Sequence, residues 1–423
     1  MKSLCFFAMV FVMLPAAGRA AGADLALVKP EQVGLSSELL GRVTRRMRDD
    51  AAQRLIPGAV LLVARKGGVA CHEAAGLVNP ETGQPMTPDA VFRLYSMTKP
   101  ITTVGAMMLV EEGRLTLSDP VAKYLPAFKD VRVGVEKPAA PGNPPALELV
   151  PPRRPITIHD LMRHTSGLTQ HLWGSGAVRS TYVAGLSSLM DLTNEEFAAQ
   201  LATLPLLHQP GTTWEYGFST EVLGRVVEVV SRQPLSQFVS TRLLRPLGMY
   251  DTGFWVSDPA RQGRIAEPFR AERLILPKLE ISDPRRAARF ESGGGGMVST
   301  AMDYAKFLQM LLNRGEFGSH RYLSPATVDY MVSNHLDSGM ASGPSFTPGP
   351  GYGFGLGFAV RREGGIASAI GSPGEYYWGG VAGTYFWVDP KYDMFVVLMM
   401  QSPRMRDAYR PLLRSLIYAA ILR

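Results

Sequence analysis

Tyr95-Ser96-Met97-Thr98-Lys99-Pro100 is the stretch from which the rest of the chain is read. It contains Ser-x-x-Lys, and a helical pattern follows it. Apolar residues recur at Ile101, Val104, Met108 and Leu109, and the run stops at Glu111-Glu112-Gly113, with glycine in the helix-ending place. Pro100 is tolerated only in a first turn, so Ser96 falls at or near the helix N-terminus. Residues three apart share a helix face, which lets Lys99 reach the Ser96 hydroxyl. The helix N-terminus also offers free N–H groups and partial positive charge, and both favour an oxyanion. A serine becomes a nucleophile only with a base beside it, and a lysine stripped of water by burial is one such base. Taken alone, the four residues read more simply as a helix cap followed by a surface lysine. The rest of the sequence has to decide.

Upstream, Ser36 to Arg48 reads as an amphipathic helix capped by Ser36 or Ser37. Gly58 to Ala64 is an apolar strand, Arg65-Lys66-Gly67-Gly68 is turn chemistry, and Val69 to Ala75 returns as a partner strand. Downstream, Pro138 to Pro155 reads as a long surface loop. Helical signals follow over Thr157 to Gly167, Asn194 to Leu204 and Thr220 to Arg232. Gly293-Gly-Gly-Gly296 gives way to Thr300 and Asp303, which resemble a capping box for a helix running to about Leu312. Strand-like runs cover Phe354 to Val360, Val381 to Val388 and Met394 to Met400, and Arg406 to Leu422 closes the chain as a helix. Strands at both ends and helices between them predict an α+β fold. Its antiparallel sheet, built from both termini and flanked by helices, would carry an inserted, mostly helical domain. The expected boundaries are 24–115 with 290–423 for the sheet domain and 116–289 for the insert. The crevice between them is the expected ligand site.

Composition excludes several classes. The 423 residues are 46% hydrophobic and 19% charged, as in an ordinary globular protein. The formal charge of +7 is thin over this length and shows no Lys/Arg block, so a nucleic-acid surface is not indicated. Lys2, the apolar run Leu4 to Leu14 and the small residues after it read as a secretory signal within residues 1–23, cleaved after Ala20 or Ala23. A periplasmic or secreted protein without stable membrane insertion follows from that reading. Cys5 would leave with the signal; Cys71 lies in a strand with no Cys or His partner pattern and reads as core.

Other chemistries lack their marks. None of the seven histidines makes a metal pattern, and His159 and His164 are expected to make structural hydrogen bonds. There is no Gly-x-Ser-x-Gly elbow, Walker sequence or dinucleotide-binding glycine pattern. Gly293–Gly296 reads as a close-approach loop beside a site. Trp214-Glu215-Tyr216-Gly217 precedes a helix, and Trp378-Gly379-Gly380 opens a strand after a Pro373-Gly374 turn.

The order of these pieces carries a resemblance. Ser96-Met-Thr-Lys99, Leu161-Met-Arg-His-Thr-Ser-Gly-Leu168, Tyr216-Gly-Phe-Ser, Arg245-Pro-Leu-Gly-Met249, Gly293-Gly-Gly-Gly-Met-Val-Ser-Thr300 and Trp378-Gly-Gly380 together resemble the penicillin-recognising serine hydrolases. Within them the chain is most similar to the class C β-lactamase-like branch and its family VIII carboxylesterases. The resemblance implies that Ser96 is acylated and that Lys99 and Tyr216 share proton transfer beside it. It implies an oxyanion hole made by the backbone N–H groups of Ser96 and Val381, and a substrate wall at Trp378, Gly379, Gly380 and Phe218. No cofactor or metal is implied. Two departures stand out: Phe218 replaces the asparagine of the family's Tyr-x-Asn, and Trp378 replaces the lysine of Lys-Thr-Gly, which helps hold a β-lactam carboxylate. A neutral indole there favours small neutral esters, with β-lactams as secondary substrates. Arg289 and Arg361 are the cations to consider in place of that lysine. A β-lactamase proper, a D-aminopeptidase or DD-peptidase and a transacylase share the same machinery. A binding protein on this fold is opposed by the presence of Ser96, Lys99 and Tyr216 together.

Overall fold

A computed structural model describes residues 25–137, 146–170, 174–186, 191–273, 283–343 and 346–422. The expected secretory signal lies outside the described residues, and no helix among these is long and apolar enough to cross a membrane. In chain order the elements that frame the site begin with helix α1 (Ser37–Ala52) and strands β1 (Gly58–Arg65), β2 (Gly68–Asn79) and β3 (Gln84–Pro85). Helix α2 (Thr98–Glu111) follows, then α3 (Ile158–Met162), α4 (Ala177–Gly185), α5 (Asn194–Leu201), α6 (Ser219–Ser231) and α7 (Ala301–Leu312). Strands β4 (Tyr352–Phe354), β5 (Ala359–Arg361), β6 (Tyr376–Gly379), β7 (Tyr385–Asp389) and β8 (Met394–Met400) precede the last helix, α8 (Arg406–Ala419).

The eight strands form one antiparallel sheet in the order β4-β5-β6-β7-β8-β1-β2-β3. The C-terminal strands join the N-terminal hairpin where β1 pairs with β8, Ala59 opposite Met400. All eight residues of β1 are buried, because both sheet faces are covered. One face packs Leu61, Val63, Val396 and Leu398 under Leu40, Val43 and Met47 of α1 and Leu413 and Ile417 of α8. The other packs Val60, Leu62, Val397 and Met399 against Ile101 and Val104 of α2 and Phe307 and Leu308 of α7. Each such aliphatic side chain contributes about 1.5–3 kcal/mol on burial. The same apolar cluster continues into Phe197 of α5 and Val222 of α6, so the floor under the Ser96 helix is shared with the helical region.

Local chemistry sets the element ends. The Ser36 hydroxyl accepts from Leu39 N at 3.2 Å and caps α1. Lys66 and Gly67 both take positive φ in the β1–β2 turn, the conformation that suits a two-residue hairpin. Several expectations are corrected. The helix expected from Thr157 to Gly167 ends at Met162, where Arg163 and Thr165 fold back onto Asp160, the residue that also caps the helix start. Asp160 accepts from Arg154, Thr157, Arg163 and Thr165, and His164 turns to φ +57°. The stretch expected as a loop, Pro138 to Pro155, lies partly outside the described residues; Ala146–Val150 is a strand paired with Val133–Lys137. The Phe354–Val360 run is a hairpin, β4 and β5, not one strand, since Gly357 takes φ +87° between them. Val381–Val388 is likewise divided: Val381 sits in the turn and β7 starts at Tyr385. Trp378 and Gly379 belong to the strand before that turn. Thr300 caps α7 by accepting from Asp303 N at 3.2 Å, but the Asp303 carboxylate does not reciprocate. It accepts from Asp251 N and the Thr252 hydroxyl instead, and burial pushes it up to about 6.

Candidate active site

Ser96 lies in a single 3₁₀ turn, Tyr95–Met97, immediately before α2. Tyr95 takes φ +49°, unusual for a bulky residue, and so turns the chain sharply into the serine. The turn is fixed from three sides. Met97 O accepts from the Tyr304 hydroxyl of α7 at 2.9 Å, Leu94 O accepts from the Thr384 hydroxyl at 3.0 Å, and Leu94 N donates to Met297 O at 2.8 Å. Lys99 is 4% exposed, one helical turn on from the serine. Its ammonium donates to Gly294 O at 2.7 Å and lies 3.5 Å from the Ser96 hydroxyl. The glycine run is therefore a close-approach loop beside the site. A side chain at Gly294 would fall 2.1 Å from the Glu221 carboxylate.

Tyr216 comes from the loop before α6. Its hydroxyl donates to Ser96 Oγ at 2.7 Å, and the Lys99 ammonium stands 4.7 Å from the centre of its ring. That loop is anchored by buried Glu215, which accepts from the Thr169 hydroxyl and from Arg179, each at 2.6 Å, and whose N–H donates to His164 O. The structure thus brings Ser96 and Lys99 of one motif together with Tyr216 of another. Trp378 stands 5.5 Å from the Tyr216 ring, and Gly379, Gly380 and Val381 continue the same wall. The backbone N–H groups of Ser96 and Val381 make no hydrogen bond within the described residues. The resulting cleft has a volume of about 680 Å³; Gln170, Phe346 and Tyr377 also line it.

Phe218 is not among the described residues that line this cleft. It is buried against Phe197, ring centres 5.3 Å apart, and stacks at 6.4 Å on Tyr182. A side chain following Gly217 points into the helical core at the start of α6. Arg289 and Arg361 also lie away from the cleft. Arg289 is an exposed partner of Glu196, and Arg361 is buried beside Glu375. His159 pairs with His335 at 2.9 Å, as its structural reading requires. His164 behaves differently: it is buried 4.9 Å from the Tyr216 ring, and its Nδ1 has no partner among the described residues. Burial, with the nearby Lys99 charge, holds it well below its ordinary range, so it packs as a neutral imidazole. Cys71 is buried and its thiol is pushed up to about 12 by that burial, which makes it inert at neutral pH. No cluster of three or more metal-ligating side chains occurs among the described residues.

The sequence reading missed Arg410, which enters the cleft from α8 beside Gly379. Its only sequence signal is its place in an amphipathic helix, which does not reveal what that helix crosses.

A nucleophile touched by two polar side chains, with one free N–H on its own residue and another on the facing strand turn, is the constellation of an acyl-transferring serine enzyme. The family model described as Beta-lactamase matches residues 43–419, and the chain belongs to that family. Esterase EstB of Burkholderia gladioli is 33% identical over 366 residues, covering 82% of this chain and 86% of that protein. Protein Rv1367c of Mycobacterium tuberculosis is 35% identical over 355 residues, with the same two coverages. Among solved structures, EstCE1, described as a hydrolase with promiscuous acyltransferase activity, superposes with a TM-score of 0.74 at 30% identity. It covers 90% of this chain and 99% of its own. The resemblance and the α+β fold read from the sequence are those of the family.

Proposed function

We propose that the protein is a serine esterase that hydrolyses small carboxylic esters through an acyl-enzyme on Ser96. The observation that carries this reading is the contact of the Tyr216 hydroxyl with Ser96 Oγ at 2.7 Å, with Lys99 at 3.5 Å from the same oxygen. With Tyr216 as general base, Ser96 Oγ attacks the ester carbonyl carbon while its proton passes to the Tyr216 oxygen, the nearer of the two groups. Lys99 stabilises the charge that passes between them. The carbonyl oxygen becomes an oxyanion held by Ser96 N–H and Val381 N–H; removing such a donor costs about 10²–10³ in rate. Tyr216 returns the proton to the departing alcohol, and the C–O bond breaks. Water then repeats the sequence on the acyl-enzyme and releases the acid and the free serine.

Trp378, Tyr377 and Phe346 give the cleft aromatic walls, which suit an apolar acyl or alcohol group. The esterase relatives support ester over β-lactam as the main substrate class. Export to the periplasm or beyond is part of the same reading and rests on the signal-like residues 1–23. A panel of 4-nitrophenyl esters run beside nitrocefin tests the assignment. The wild type should turn over the acetate to butyrate esters far faster than nitrocefin, and Ser96→Ala should retain below about 1% of that activity. Ser96→Ala activity above that level would assign the reaction to another nucleophile.

A further inference from the structure

One cation of the cleft makes no ion pair among the described residues. Three arginines line it, Arg179, Arg406 and Arg410, against a single acid, Asp407. Arg179 is paired with Glu215 at 2.6 Å, and Arg406 with Asp407 at 2.9 and 3.1 Å. Arg410 makes no ion pair or hydrogen bond among the described residues, and its Nε is fully buried without a partner. Its guanidinium is stacked 5.2 Å from the centre of the Tyr385 ring. The contrast with Arg414, one turn further along α8, is direct. Arg414 is fully buried, and it donates to the Glu375 carboxylate at 2.8 and 2.7 Å and to the Tyr385 hydroxyl at 2.8 Å. Arg410 is only partly buried: its Nε is shielded from water without a partner, while the rest of the guanidinium lines the cleft with no ion pair among the described residues. An anion arriving with the substrate would pair with it.

Gly379 shows that the space is reserved for this group. A side chain at position 379 would start 2.5 Å from Arg410 Nη2, so the guanidinium occupies the place a larger residue would fill. The two unusual features of Trp378-Gly379 are thus connected. Position 378 supplies no cation, and the absence of a side chain at 379 admits one from α8.

We propose that Arg410 is a specificity-determining residue that binds a carboxylate on the substrate, so that the esterase acts on esters carrying a carboxylate as well as on neutral ones. This rests on the esterase reading and deepens it. A planar carboxylate can accept two parallel bonds from a guanidinium, an arrangement stronger and more directional than a single neutral hydrogen bond.

The test uses two matched substrate pairs. 4-Nitrophenyl hydrogen glutarate against 4-nitrophenyl butyrate places the charge on the acyl side; 4-acetoxybenzoate against phenyl acetate places it on the alcohol side. The readout is the ratio of kcat/KM, charged over neutral, corrected for the uncatalysed rates. Arg410→Gln should lower that ratio about tenfold or more in at least one pair, and the affected pair identifies the side. Arg410→Lys, which keeps the charge but not the fork, should fall between the two. A change below about threefold in both pairs overturns the proposal. Should Arg410→Gln fail to fold, the wild type decides. Its charged-over-neutral ratio must fall as NaCl rises from about 20 mM to about 0.5 M, and a ratio indifferent to salt overturns the proposal. Turnover of 4-nitrophenyl butyrate by the wild type tests the esterase reading separately, since that substrate has no carboxylate for Arg410 to meet.

Discussion

Replacing Tyr216 by phenylalanine removes one oxygen and leaves nearly everything else in place. The ring is 7% exposed and keeps its neighbours: Trp214 at 6.0 Å, Trp378 at 5.5 Å and His164 at 4.9 Å between ring centres. The Lys99 ammonium also keeps its position near the ring face. What is lost is the 2.7 Å contact with Ser96 Oγ. As a hydrogen bond it is worth about 1 kcal/mol of stability, so the melting temperature should move by only a few degrees. As the route for the serine proton it is worth far more: a positioned general base contributes about 10²–10⁴ in rate. The middle of that range is about 4 kcal/mol of barrier. Steady-state hydrolysis of 4-nitrophenyl butyrate should therefore show kcat reduced about 10³-fold with KM little changed, since the ring that lines the cleft remains. Tyr216→Phe retaining more than about a tenth of wild-type kcat, while folded, would refute the assignment of Tyr216 as the base and move it to Lys99.

Other expectations separate catalysis from stability. Lys99→Met removes a buried ammonium whose bonds are to a carbonyl and a hydroxyl, with no carboxylate partner among the described residues. Activity should fall about 10²-fold or more while denaturant stability drops by no more than about 1 kcal/mol; a large loss of stability with activity intact would contradict this. Asp303 is raised by burial to about 6, so the folded state holds a proton that the unfolded state gives up near its ordinary value. The Asp303 contribution to stability should be fullest below about pH 4 and decline as pH rises through about 6. Asp303→Asn should flatten that part of a melting-temperature-against-pH curve, and an unchanged slope would assign it elsewhere. Protein recovered from the periplasm should lack residues 1–20 or 1–23 by intact mass; a full-length mass in the membrane fraction would defeat the export reading.

Much of the fold was legible because its signals are local. The Ser36 cap, the Lys66-Gly67 turn and the spacing of Ile101, Val104 and Met108 each state their conformation within a few residues. The pairing of Ser96 with Lys99 follows from a single helical turn. Features made by tertiary contact were not legible in the same way. The apolar run from Phe354 to Val360 has the composition of one strand, and only the backbone turn at Gly357 makes it two. Phe218 sits two residues from Tyr216, and the onset of α6 packs it against Phe197 and Tyr182. Arg410 is more than 300 residues from Ser96, and only the docking of α8 across β6 and β7 places it beside Gly379. Asp160 looked like a helix residue; it caps the helix start with Thr157 and also accepts from Arg163 and Thr165 just beyond the helix end. Burial alone would raise its carboxyl, but the Arg154 and Thr157 bonds outweigh that and hold it at about 2.

The most direct test of the account is the site of covalent modification. Intact protein treated with a fluorophosphonate, then digested and sequenced by mass spectrometry, should carry one adduct per chain, on the peptide holding Ser96, and Ser96→Ala should carry none. An adduct on another residue, or an unmodified wild-type chain that still hydrolyses 4-nitrophenyl butyrate, would contradict the claim that Ser96 is the nucleophile.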